Sequence, residues 1–408
     1  MKEILIIGTY PPPYGGISTI ISNLIPYLKE KGYNVHVFAP GYPGGNVDED
    51  NLKVYKPDNK NLILKGPLFC SSLLKIIGIK HQYGINGMSL KRTIRMALWV
   101  DYLRSAVFNK NKIDIICTFH LFDRGLLGAF LSEVYNIPLV TVNFGEIYAE
   151  QDFYKRNISA VSFIISQSNK LVSVSQHCAS SYKLLKLGPK IEIIFSSVDK
   201  SRFNTHVRGD DVRKSFTMGK KDSLVLFIGR MIRDMGLDTL IDAVHILMKK
   251  TGSIKFLIGG AEGELTESVK TLADCYPLNV FYATNISPSE LPYYYAASSV
   301  VVVPTKDDRS CMGLAMKEAM LCGKAVIGSK VGGIPEAITH NENGLLIEPD
   351  NAEELAEAIL YLENNPDLRF VMAKKGEGRA LSCFVTEIAN KKWLGIFDEL
   401  VEKERSRA

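Results

Sequence analysis

The chain has 408 residues, 46% of them hydrophobic and 23% charged, with a formal net charge of +5. That length exceeds the roughly 250–300 residues at which a single core stops growing, so two or three domains are expected. No apolar run approaches the roughly 20 residues that span a bilayer, and the seven cysteines (70, 117, 178, 275, 311, 322, 383) show neither zinc spacing nor a disulfide framework.

The first elements read as strand, loop and helix. Glu3–Gly8 is a β-branched apolar run and predicts a buried parallel strand. It is short and meets Gly8-Thr9-Tyr10-Pro11 without a small-residue cleavage site, so it does not read as a signal peptide, and a cytoplasmic chain is expected. Tyr10-Pro-Pro-Pro-Tyr-Gly-Gly16 breaks the structure, and Ser18 can cap a helix running to about Lys31. Asn34–Ala39 is a second strand. Asp114–Thr118, a helix near Leu126–Tyr135, Leu139–Asn143 and Lys170–Ser175 continue the alternation of a parallel sheet with helices on both faces.

The pattern then restarts. Ser223–Ile228 predicts a strand closing on Gly229-Arg230, followed by a helix over about Asp238–Lys250 and a strand at Lys255–Ile258. Val300–Val303, Ala325–Gly328 and Gly344–Ile347 are later strands. The economical reading is two doubly wound α/β domains, 1–200 and 201–384, with a C-terminal helix over 385–408 crossing back to the first. Two such sheets facing each other would put a substrate cleft between the domains, beyond the carboxyl ends of the strands.

Three stretches carry candidate chemistry. Gly15-Gly16, between strand and helix, lets backbone approach an anion closely beside free N–H groups; a plain strand–helix turn would look the same. Arg230 at a strand's carboxyl end offers forked donors and permanent charge to a diphosphate, although an isolated arginine is more often a surface ion pair. The third runs from Pro304 through Ser310 to Gly323, a loop and then a helix starting near Gly313 or Leu314. The amides of Met312, Gly313, Leu314 and Ala315 would point at a phosphate, and Glu318 one turn on could accept hydrogen bonds from ribose hydroxyls.

These stretches, with Phe227-Ile-Gly-Arg230, Met312-Gly-Leu-Ala-Met-Lys-Glu-Ala-Met320, Gly332-Gly-Ile-Pro-Glu336 and Asn343-Gly-Leu-Leu346, occur in an order that resembles the retaining glycosyltransferases of family 4, also called glycosyl group 1. The resemblance implies a GT-B fold of two facing Rossmann-like domains, with a nucleotide-sugar held mainly by the second. It implies Gly16 beside the donor phosphates, Arg230 on the diphosphate and Glu318 on the ribose, with no metal or other cofactor. Three positions depart from the pattern. Ser310 stands where the motif's first glutamate would be, and Met235 replaces a phosphate-side lysine for which Arg233 could substitute. The active-site histidine expected near the fifth strand falls at Asn143-Phe144, leaving His120, at the end of the preceding strand, as the competing candidate.

The resemblance implies transfer of a sugar to a glycan, glycolipid or small-molecule acceptor, in cell-surface polysaccharide or glycolipid biosynthesis. The alternatives are a non-catalytic nucleotide-sugar-binding homologue, or an epimerase or phosphorylase on the same scaffold. No nucleic-acid partner is expected. Charge is uneven: residues 1–200 hold 23 Lys/Arg against 15 Asp/Glu, and 61–112 hold nine against Asp101 alone. With their Leu, Ile, Met, Phe and Trp side chains, residues 61–112 are expected to rest on an anionic membrane surface, making the protein peripheral on the inner face of the plasma membrane.

Overall fold

A computed structural model describes residues 1–12, 15–57, 66–219, 222–308 and 311–406. The chain forms two compact units, Met1–Phe195 with Ala389–Ala408, and Ser196–Ile388. The sequence reading puts the boundary at 200 rather than 195. The last helix, Thr386–Arg405, starts in the second unit's stretch of chain and ends in the first unit.

In the first unit the strands are β1 (Lys2–Ile7), β2 (Tyr33–Phe38), β3 (Val47–Glu49), β4 (Leu52–Tyr55), β5 (Ile115–Phe119), β6 (Leu139–Asn143), β7 (Ser168–Ser173) and β8 (Ile191–Ile193). They form one sheet in the order β3-β4-β2-β1-β5-β6-β7-β8, parallel throughout except where β3 turns back on β4. Ile4 through Ile7 are fully buried because helices cover both faces, which is why β1 reads as an unbroken apolar run. The returning C-terminal helix belongs to this packing. Trp393 meets Phe119 at 5.5 Å, and Asp398 accepts hydrogen bonds from Tyr33 Oη and Lys2 Nζ.

The helices Gly66–Gln82 and Leu90–Leu103 fill most of the basic stretch. Ile76, Ile79, Met96, Trp99, Val100 and Leu103 from these helices sit in the first unit's core, with Phe38 edge-on to Trp99 at 5.7 Å. Burying such side chains stabilises the unit by about 1.5–3 kcal/mol each, a use that removes them from any headgroup boundary. Much of the apolar content of 66–112 is therefore core. Residues 61–65 lie outside the described residues.

The second unit holds β9 (Ser223–Ile228), β10 (Ile254–Gly260), β11 (Val280–Thr284), β12 (Val300–Val303), β13 (Ala325–Ser329) and β14 (Leu345–Ile347). Their order, β11-β10-β9-β12-β13-β14, is wholly parallel and reverses direction between β9 and β12. The first unit's sheet reverses in the same way between β1 and β5. Each unit thus has a topological switch point at the carboxyl ends of its first and fourth parallel strands.

Candidate functional site

The loops after β9 and β12 meet at the second unit's switch point. Gly236 has a φ of 71°, and a Cβ there would lie 1.7 Å from the Pro304 carbonyl oxygen, so only glycine lets the two loops touch. Lys306 N donates to Asp234 O at 3.2 Å, fixing the same contact. Arg230 projects from the β9 end, exposed, and its guanidinium has no partner among the described residues. Arg233 does not stand beside it as a second free cation. Its Nη1 reaches Asp238 Oδ2 at 3.3 Å, and its amide donates to Glu264 at 3.0 Å. Lys306 shares that carboxylate at 3.0 Å and also pairs with Asp350. Met235 packs against the second unit's core.

Beyond β12 the chain enters the helix Leu314–Leu321, preceded by Gly313. Among the described residues no side chain caps this end, so its orphan amides are available to another acceptor. The loop before the helix is braced from behind. A Cβ at Gly333 would lie 1.5 Å from Cys311 O, which explains the paired glycines of Gly332-Gly-Ile-Pro-Glu336. Lys317 is fully buried, and its Nζ donates to Ser196 O at 2.8 Å, Ser196 Oγ at 2.6 Å and Met312 O at 3.4 Å. Burial pushes this amine down to about 7. Ser310 lies outside the described residues.

Glu318 is half-buried on the same helix. Its Oε2 accepts a 2.7 Å hydrogen bond from Tyr295 Oη, whose own side chain is fully buried. The other oxygen takes no hydrogen bond among the described residues, so one edge of the carboxylate is anchored and one is presented. Burial raises this carboxyl to about 6, against the opposing pull of the Tyr295 hydrogen bond.

In the first unit, Gly15 precedes the helix Gly16–Glu30, which starts three residues earlier than the Ser18 cap predicts. Ser18 sits in the first turn instead, its Oγ accepting from Gly15 N at 2.9 Å. Neither glycine has left-handed backbone, and a Cβ at either would meet nothing within 4 Å. The fold itself does not require them, and the space above them is open. His120 follows β5 with a φ of 143°, a conformation that costs a non-glycine residue about 1–3 kcal/mol. Its Nδ1 accepts from Phe122 N at 3.4 Å, which leaves the proton on Nε2, 3.9 Å from Glu146 Oε1. Asn143 offers nothing to a ligand. It is fully buried, its Nδ2 donates to Cys178 O at 2.9 Å and Ser181 Oγ at 3.2 Å, and its Oδ1 accepts from Gly145 N at 2.8 Å. Of the two competing candidates, His120 alone is accessible.

The structure therefore groups Arg230 with the uncapped amide end and Glu318 around one switch point, and gathers Gly15, Gly16 and His120 at the other. It removes Asn143 and ties Arg233 to Asp238. Tyr295, Lys317 and Glu146, which hold these groups, escape sequence reasoning: each is a lone polar residue whose partner lies on a distant element. Among the described residues, no group of three or more His, Cys, Asp or Glu is arranged to hold a metal ion, and no helix is long and apolar enough to cross a membrane.

Comparison with known proteins agrees with this fold. The sucrose-phosphate synthase of Thermosynechococcus elongatus superposes with a TM-score of 0.74 at 19% identity, covering 99% of this chain and 100% of that one. The Anabaena protein HepE in complex with UDP superposes with a TM-score of 0.72 at 17% identity, covering 98% and 100%. In sequence, the GDP-mannose-dependent α-(1-6)-phosphatidylinositol monomannoside mannosyltransferase of Mycobacterium tuberculosis is 22% identical over 92% of both chains. Two family models match in tandem, Glycosyltransferase Family 4 over residues 14–202 and Glycosyl transferases group 1 over 210–379. With both halves matched and the GT-B architecture in place, the chain belongs to the group 1, family 4 glycosyltransferases.

Proposed function

We propose that this glycosyltransferase takes a sugar from a nucleoside-diphosphate sugar and passes it to an acceptor hydroxyl with the anomeric configuration retained. The observation that carries the donor half is Glu318, a carboxylate pinned by Tyr295 on one edge and presented on the other, one turn into a helix whose amide end is uncapped. A ribose diol can donate to the free carboxylate edge while the diphosphate meets Arg230 and the helix amides. The names of relatives support a nucleotide-sugar donor, since one is GDP-mannose-dependent and another structure holds UDP.

In the reaction we assign, the bond between the anomeric carbon and the diphosphate oxygen breaks as the acceptor oxygen attacks from the same face. The acceptor's proton passes to the departing phosphate oxygen. Arg230 and the helix amides stabilise the charge that develops there, with no metal and no protein nucleophile needed. His120 lies on the acceptor side, its Nε2–H steered by Glu146.

Incubation with a panel of UDP-, GDP- and ADP-sugars, with the product anomer read by NMR, tests this. Retention with an α-linked product, insensitive to chelator, is the expected outcome. An inverted product ends the retaining reading. Nucleotide binding without turnover would make the chain a binding subunit, and altered donor configuration without transfer would make it an epimerase. A membrane-borne acceptor, in cell-surface glycan or glycolipid synthesis on the cytoplasmic face, is the second reading. It is supported by Leu74 and Ile77, exposed on the helix Gly66–Gln82 beside Lys75, and by the lipid named for the mannosyltransferase.

A further inference from the structure

Four polar side chains emerge at the first unit's switch point: Thr9 after β1, His120 and Arg124 after β5, and Glu146 after β6. Arg124 differs from the other partly buried arginines of this unit. Arg92 and Arg95 pair with Asp123, and Arg104 pairs with Asp101. Arg124 has no carboxylate within ion-pairing distance among the described residues. Its Nη2 donates to the neutral Thr9 Oγ1 at 2.9 Å, and its Nε is buried without a hydrogen-bond partner.

Glu146 is close enough to act electrostatically on Arg124 but does not bond to it. Its Oε1 accepts from Leu121 N at 3.1 Å and its Oε2 from Phe144 N at 2.7 Å, so it clamps the loops after β5 and β6 together. A guanidinium withdrawn from water without a bonded counter-ion is costly, and removing that cost requires an anion. A planar fork with free N–H groups suits two oxygens of one phosphate or carboxylate.

We infer that Arg124 and Thr9 form an anion subsite that binds a phosphate or carboxylate group carried by the acceptor. The inference rests on the proposal that the first unit takes the acceptor. Thr9 orients the fork through its hydroxyl, and Arg124 supplies the charge. The subsite selects for acceptors bearing an anion near the hydroxyl that is glycosylated.

Calorimetric titration of the full chain tests this with four soluble probes: glucose 6-phosphate for a monoester, glycerophosphoinositol for a diester, glucuronate for a carboxylate, and uncharged glucose. Each titration is repeated in an Arg230→Gln background, so that phosphate held by the second unit is subtracted. At least one anionic probe should bind about tenfold or more tightly than glucose, and the order among the three identifies the anion. Arg124→Gln should weaken that probe by about tenfold or more, Arg124→Lys by less, and Thr9→Val by only a few fold. UDP and GDP affinities should stay within about twofold in all three variants. No anionic probe binding to the wild-type chain overturns the subsite, and so does equal binding by Arg124→Gln and Arg124→Lys. Anion binding that depends on Arg124 in a chain that binds no nucleotide would sink the donor assignment while leaving the subsite standing.

Discussion

The two switch points are built on opposite plans. At the second unit's, the chemistry is largely backbone: an uncapped helix end, glycines that permit close loop contact, and Arg230, unpaired among the described residues. At the first unit's, apart from the open Gly15–Gly16 turn, it is side chain on side chain. His120 is steered by Glu146, Glu146 is held by two amides, and Arg124 rests on Thr9. A backbone site tolerates changes of neighbour because its geometry is set by the helix. A side-chain site of this kind weakens step by step as its supporting residues are lost.

The largest expected effect on nucleotide affinity is at Glu318. Glu318→Ala removes hydrogen bonds to a charged acceptor, worth about 1.5–3 kcal/mol each, so nucleotide affinity should fall by one to two decades. The sequence alone suggests that such a change leaves stability untouched, but the structure says otherwise. Tyr295 Oη would be left buried without its partner, at a cost of about 1–3 kcal/mol. Tyr295→Phe in an otherwise intact chain separates the effects, since it should keep most of the donor affinity. If Glu318→Ala alters neither calorimetric binding nor the unfolding midpoint, the carboxylate has no role in either.

His120 and Asn143 sharpen the comparison within the first unit. His120→Ala should lower turnover by about 10²-fold or more, with donor affinity and stability nearly intact. Asn143→Ala should do the reverse. It strips two donated and one accepted hydrogen bond from a fully buried site, so a loss of about 2–4 kcal/mol is expected. A catalytic defect in folded Asn143→Ala larger than that of His120→Ala would restore the asparagine. At the diphosphate, Arg230→Ala should cost more than Arg230→Lys, and both more than Arg233→Ala, because Arg233 is already occupied by Asp238.

Much of this fold is legible in the sequence because parallel strands buried on both faces announce themselves. Leu139–Asn143, Ser223–Ile228 and Val300–Val303 are readable residue for residue. β3, β4, β8 and β11 pass unnoticed: the first three are only three or four residues long, and β11 is an edge strand with one fully buried side chain, Val280. The donor motifs are legible because helix ends and glycines leave contiguous traces. Lys317 is not, since a lysine inside Ala-Met-Lys-Glu-Ala-Met reads as solvated until its bonds to Ser196 and Met312 are seen. Nor is Arg124, whose meaning lies in Thr9, 115 positions away.

Acid should weaken donor binding through one identifiable group. The Glu318 carboxyl, raised by burial to about 6, accepts from ribose only when ionised. Nucleotide affinity should therefore hold above pH 7 and fall as pH drops through about 6, approaching tenfold per unit below it. The sign for stability is separate. A carboxyl whose folded value lies above its unfolded one contributes stability below about 4.5 that is lost as pH rises through about 6. Acidification thus weakens the ligand while favouring this residue's folded environment. Glu318→Gln should bind weakly but equally at pH 5.5 and 7.5, and a wild-type slope that survives in this variant would assign the titration elsewhere.

The smallest effect is expected at the outer face of the helix Gly66–Gln82. Of the nine basic residues in 61–112, Lys80 is bound to Met88 O and Thr93, Arg92 and Arg95 to Asp123, and Arg104 to Asp101. Lys75, Lys91, Lys110 and Lys112 remain exposed among the described residues, and each can contribute about 1 kcal/mol near an anionic leaflet. Leu74 is 68% exposed and Ile77 45%, three positions apart on one face of the helix. Exposed apolar and basic side chains of this kind would give at most salt-sensitive, reversible attachment. Leu74→Glu with Ile77→Glu should reduce co-sedimentation with anionic vesicles severalfold and leave transfer to a soluble acceptor unchanged. Wild-type binding that is indifferent to lipid charge, or unaltered in the double variant, would leave this helix as an ordinary solvated face of the first unit.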